Sequence, residues 1–297
     1  MYSPSVRLAW AFAGALSACA SNGATRVSVQ PAAASQNWAS TRFSSDAKAN
    51  TEARASEVKS TLLAREAVLA MPGFESRLYL IEFPPKVVGL LHTNTEQCVG
   101  YVLQGRLEAA FGADPITVMR AGEAFVERPH EAHRLRNPDP KRVLRIVVTG
   151  TFRNKEPMAE PLSGAAGFDT HTDSPAPEAM NPEASTPPLT EVKRTLLVHR
   201  ELADFPGLES RLYLIEFPPA AKSKDHLHTA QGIGYVIDGS FESAFGDGPT
   251  TVKRAGDAFI DSPGLPHHFR NPDSTRPLRF LVAGTYHPAE QLFVPTK

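Results

Sequence analysis

Two halves of this chain repeat one another in a single register. Thr61-Leu-Leu returns at Thr195-Leu-Leu, Arg77-Leu-Tyr-Leu-Ile-Glu-Phe-Pro-Pro85 returns unchanged at residues 211–219, and Asn137-Pro-Asp returns at Asn271-Pro-Asp, each pair 134 positions apart. An offset held without a gap across such distant landmarks marks a tandem duplication of one domain. Two copies are too few for a solenoid, so each must bury a core of its own. The copies occupy residues 58–154 and 191–287 of the 297.

Each copy reads as β. Short runs rich in Leu, Val, Ile, Tyr and Phe (Leu78 to Phe83, Val99 to Leu103, Leu107 to Phe111, Ile116 to Met119, Val143 to Thr149) are separated by Gly and Pro. That punctuation breaks helices and suits turns between short antiparallel strands. A jelly roll is the expected architecture, since it limits the open sheet edges of a small β domain. Between the copies, residues 155–190 are rich in Pro, Ala, Ser and Glu without periodicity, which predicts a solvated, disordered linker. Residues 288–297 read as a tail.

The charges exclude one class of partner. A formal net charge of −1, with Lys/Arg and Asp/Glu scattered evenly, gives no basic surface for nucleic acid. Small-molecule binding stays open, and oligomeric state is not legible. At the N-terminus, Arg7 precedes an apolar run from Leu8 to Ala18 that is too short to span a bilayer. Leu16-Ser17-Ala18-Cys19 resembles the bacterial lipobox, in which the cysteine is lipidated and becomes the first mature residue. Cleavage after Ala20 by ordinary signal peptidase is the alternative, but a cysteine here, in a chain with only two, favours lipidation. Residues 1–19 are therefore expected to be a signal peptide, and 20–57 a polar tether with a short helix near Asp46 to Ala55. The expected location is the cell envelope, anchored by lipid at a bacterial outer membrane and facing the periplasm, or else secreted into the periplasm.

The chemistry concentrates in the second copy. His226 and His228 lie two apart and would share one face of a strand. If a neighbouring strand brings His267 beside them, three neutral imidazoles converge, a good donor set for a divalent transition metal such as Fe, Mn, Ni or Zn. The spacing His226-x-His228-x3-Gly232-x6-Gly239, followed by Gly256, Pro263, Gly264, His267 and Asn271, resembles the two motifs of the cupin superfamily, with the proline one residue late. The resemblance implies two tandem cupin barrels and a facial set of three histidines. It also exposes a departure: Gly232 stands where the family has its glutamate ligand.

The offset maps this site onto His92, Asn94, Cys98 and His133, so the first copy retains two of three histidines and is a degenerate site. Cys98 falls on the missing glutamate. It reads either as a thiolate ligand or as a small inward residue filling space. Strand alternation places Gly100 and Gly234 inward, leaving room for a ligand or marking a crowded corner. The same alternation puts Leu135 and Phe269 on an apolar wall beside the histidines, and Tyr101 and Tyr235 on the opposite, core-forming face.

Glu127 and Asp261 each precede the motif proline by two residues, where a carboxylate near the barrel mouth serves as a general base or is a mere rim charge. Glu82 and Glu216, in the repeated strand, are further candidates for the missing carboxylate. The leading reading is a bicupin acting on a small anionic chelating molecule. Iron would suit dioxygenase-like chemistry; zinc or nickel would suit isomerisation, decarboxylation or binding alone. A non-catalytic binding or sensing bicupin and a structural envelope module are the alternatives, since the fold does not choose among them.

Overall fold

The computed structural model describes residues 57–162 and 189–296. The expected signal peptide, Cys19, the tether with its short helix, and the central part of the linker lie outside the described residues.

The described chain is all β, two barrels of ten strands each. In the first, β1 (Lys59–Ala67), β2 (Phe74–Phe83), β9 (Leu144–Arg153), β4 (Cys98–Gln104) and β7 (Ala124–Glu127) form one sheet in that order. The facing sheet runs β10 (Ala159–Pro161), β3 (His92–Asn94), β8 (His133–Arg136), β5 (Arg106–Phe111) and β6 (Thr117–Arg120). The second barrel repeats the plan. One sheet is β11 (Lys193–Glu201), β12 (Glu209–Phe217), β19 (Leu278–Tyr286), β14 (Gly232–Asp238) and β17 (Ala258–Asp261). The other is β16 (Thr251–Arg254), β15 (Ser240–Phe245), β18 (His267–Arg270), β13 (His226–His228) and β20 (Phe293–Pro295). These are two tandem cupin-type domains.

Alternation along the strands builds the interiors. Inward residues of both sheets, among them Phe83, Val102, Leu107, Leu135 and Ile146, pack into the first core, and Phe217, Val236, Phe241, Phe269 and Phe280 into the second. The outward faces of the β2 and β12 sheets are apolar too, and they pack on each other. Leu78, Val99, Tyr101 and Val147 meet their duplicates Leu212, Ile233, Tyr235 and Leu281 in a third cluster shared by both halves. Tyr101 and Tyr235 thus belong to a core, but to the one between the barrels.

The motif glycine and asparagine are structural. Gly239 joins β14 to β15 at φ +78°, and a Cβ there would lie 2.9 Å from the Pro277 carbonyl oxygen, so only glycine fits this link. Asn271 donates from Nδ2 to the carbonyls of Pro218 (3.0 Å) and Arg276 (2.9 Å), tying the loop after β18 to the end of β12.

Two boundaries differ from the sequence reading. Residues 159–161, read as linker, pair with β3, and residues 293–295, read as tail, pair with β13. Both segments are short and carry proline, which hides a strand in composition, and each completes the sheet that holds its barrel's histidines. Arg211 helps fold the second one back, donating to the carbonyls of His287 (3.0 Å) and Pro288 (2.9 Å).

Candidate metal centre

β13 and β18 bring the three histidines of the second barrel together. His226 pairs directly with His267 across these strands, and His228 follows two residues on, facing the same interior. All three are buried, and their donor nitrogens lie within 4.8 Å of one another. Backbone carbonyls set the tautomers of two. His226 Nδ1–H donates to Lys224 O (2.9 Å) and His228 Nδ1–H to Leu292 O (3.1 Å), which leaves each Nε2 with a free lone pair.

His228 Nε2 and His267 Nε2 are 3.1 Å apart. Two imidazoles bound side by side to one ion at ~2.1 Å sit about 3 Å apart, so the pair is spaced as metal ligands are. Burial, with the neighbouring imidazoles, lowers His228 to about 4 and His267 to about 3. His226 is lowered too, by burial foremost, with Arg194 adding to the effect. Neutral nitrogens therefore face the interior at neutral pH, the state a metal needs. The donor set fits a divalent first-row ion.

Aromatic rings enclose these groups. Phe245 lies 4.4 Å from the His267 ring centre, Phe269 lies 5.0 Å from it, and Phe293 lies 4.8 Å from that of His226. The Arg194 guanidinium stacks over Phe293 at 4.3 Å. Phe245, Phe293, Arg194 and the Leu292 carbonyl were not found by motif reasoning. The offset held a signal for Arg194, which stands where the first copy has Ser60, and for the buried Tyr286, which stands where it has Phe152.

Other candidate residues sit differently from the sequence reading. Asp261 and Glu127 are not at a mouth or rim: they are 0% and 3% exposed, on the inner faces of β17 and β7. Burial raises Asp261 to about 8, and neither of its oxygens has a hydrogen-bond donor. Oδ2 lies 3.6 Å from His228 Nε2. The space beside the inward glycines is already filled, since a Cβ at Gly100 or Gly234 would come within 2.2 Å of Phe125 or Phe259 respectively. They admit a neighbouring phenylalanine, not a ligand. Glu82 and Glu216 point away from the interior and pair with Arg145 (2.9 Å) and Arg279 (3.3 Å), so they supply no carboxylate.

The first barrel closes its site with hydrogen bonds. The His92 and His133 rings lie 4.2 Å apart between centres, tilted at 60° to each other, and each is held by a backbone carbonyl, Leu90 O and Glu131 O. Asn94 Nδ2 donates to Glu127 Oε2 at 2.7 Å. Cys98 is wholly buried, its thiol 3.6 Å from Glu96 O, and burial, with Glu127 and then Glu96 adding, raises it well above the usual thiol range. It is a packed thiol and not a thiolate. Leu135 packs in the same apolar interior.

A family model agrees with the duplication. The cupin domain model matches twice, at residues 79–150 and 213–284. A cupin-domain-containing oxidoreductase of Neurospora crassa is 37% identical over 68 residues, 23% of this chain and 34% of its own length, so the match spans about a third of that relative. Among solved structures, a cupin 2 conserved barrel domain protein from Leptotrichia buccalis superimposes with a TM-score of 0.47 at 14% identity, covering 77% of this chain and 89% of its own. Oxalate decarboxylase from Bacillus subtilis does so with a TM-score of 0.48 at 13% identity, covering 77% and 78%.

Proposed function

We propose that this chain of two cupin domains is a metal-dependent enzyme, its centre in the second barrel at His226, His228 and His267, acting on a small anionic organic molecule. The observation that carries this reading is the convergence of three buried imidazole nitrogens within 4.8 Å, two of them with tautomers set so that lone pairs face inward. Iron, manganese, nickel or zinc would suit them. Bound there, a divalent ion would polarise and orient a substrate oxygen as a Lewis acid.

The residues around the histidines support the rest. Phe245, Phe269 and Phe293 exclude water and form the apolar walls of a small-molecule site. Arg194, close enough to depress His226, places a fixed positive charge beside the centre and favours an anion such as a carboxylate with an adjacent oxygen. The name of the Neurospora relative, an oxidoreductase, is in keeping with redox chemistry for this chain.

Identification of the bound metal comes first. Small 2-oxo acids, hydroxy acids and catechols are then screened for thermal stabilisation and oxygen uptake, beside His228→Ala. The expected result is a stabilising acid that is turned over, with both effects lost in the variant. Stabilisation without turnover would favour a binding protein, and absence of both metal and ligand response would contradict this reading.

We also propose that the mature chain starts at a lipidated Cys19, anchored in the outer membrane and facing the periplasm, with the folded domains adding no membrane surface. Mass spectrometry of the mature N-terminus should show an acylated cysteine. An unmodified start at Met1 or Ser21 would contradict it.

A further inference from the structure

We propose, building on the metal centre just inferred, that Asp261 is its carboxylate ligand, so that the negative group comes from β17 and not from position 232 in β14. Register and space carry this assignment. Gly232 pairs with Asp261 across β14 and β17, so the two positions address the same part of the interior from adjacent strands. A Cβ at position 232 would lie 3.2 Å from Asp261 Cβ and 3.5 Å from its Oδ2. A side chain there would press on the carboxylate. The bare glycine and the aspartate are therefore one arrangement, in which one strand gives up its side chain and its neighbour fills the place.

Asp261 can ionise in this interior only if a cation joins it. It is 0% exposed, and no donor reaches either oxygen. Its Oδ2 lies 3.6 Å from His228 Nε2, a nitrogen left with a lone pair because its ring proton is spent on Leu292 O. His267 Nε2 approaches the same nitrogen at 3.1 Å. The Asp261 carboxyl and the His228 lone pair thus meet with no donor between them, an arrangement that is costly in a dry interior unless a proton or a cation sits there.

The first barrel is a control built into the same chain. Cys98 and Glu127 hold the same register as Gly232 and Asp261, so this barrel also brings a carboxylate in from the neighbouring strand. There the residue aligned with His228 is Asn94, a donor, and its amide satisfies Glu127 at 2.7 Å. The amide does for Glu127 what a metal would do for Asp261.

The test is a titration of the metal-free full-length protein with Mn²⁺, followed by calorimetry and electron paramagnetic resonance. It compares wild type, His228→Ala, Asp261→Asn, Asp261→Ala and the double variant Asp261→Ala with Gly232→Glu. Asp261→Asn keeps the shape and removes the charge, and should weaken Mn²⁺ binding at least ~100-fold, the upper end of what lost support around a metal costs. Returning a carboxylate from β14 in the double variant should recover at least ~10-fold of the loss, a gain that a merely structural role for Asp261 does not produce. Unchanged binding in Asp261→Asn, with binding lost in His228→Ala, would overturn the assignment and leave the metal centre standing. A wild-type protein that takes up no Mn²⁺, Fe²⁺ or Zn²⁺ would instead refute the centre, and this assignment with it.

Discussion

Thr151 Oγ1 and Thr285 Oγ1 share a hydrogen bond of 3.0 Å, and the two residues are duplicates of each other, 134 positions apart. A residue that touches its own copy lies near a local twofold axis. The other contacts between the barrels exchange in the same way, β1 with β17 and β11 with β7. The halves are therefore packed as the subunits of a symmetric dimer are, through a self-complementary face.

That packing makes the barrels one cooperative unit. Tyr101→Ala and Tyr235→Ala each empty part of the shared apolar cluster and should each cost about 3 kcal/mol. Calorimetry should show a single transition that moves down in either variant. Two resolved transitions, only one of them shifted, would contradict it.

Gly234→Ala should destabilise the second barrel by about 1–3 kcal/mol, because the new Cβ collides with the Phe259 ring. Pairing it with Phe259→Leu should recover part of the loss in urea unfolding. A neutral Gly234→Ala would mean that the ring is not held against that glycine.

Cys98 should be inert. In Cys19→Ser it is the only cysteine of the chain, and its buried, raised thiol should not react with a disulfide reagent at pH 8 until guanidinium unfolds the protein. Fast reaction in the folded state would return the thiolate reading.

Removing residues 291–297 takes away Phe293 and the carbonyl that holds the His228 ring. Metal affinity should fall by about 10–100-fold. Unchanged affinity would show that β20 is dispensable to the centre.

Much of the architecture was legible because the duplication supplied a second reading of every strand, and alternation showed which of Cys98, Gly100 and Val102 share a face. What hid was whatever depends on neighbouring strands. Gly100 and Gly234 looked like room for a ligand because the rings of Phe125 and Phe259 arrive from elsewhere in the chain. Glu127 and Asp261 looked like rim charges because their nearness to a motif proline suggested a turn, whereas pairing with β4 and β14 turns them inward. β20 was invisible because three residues ending in proline carry no strand signal of their own, and only pairing with β13 defines them.

The decisive measurement is the metal content of the purified full-length chain. Elemental analysis should find about one divalent transition metal per molecule, lost in His226→Ala and in His267→Ala but retained in His92→Ala, since only the second barrel gathers three imidazoles. Equal occupancy of both barrels, or metal that survives the second-barrel substitutions and disappears with His92→Ala, would contradict this account.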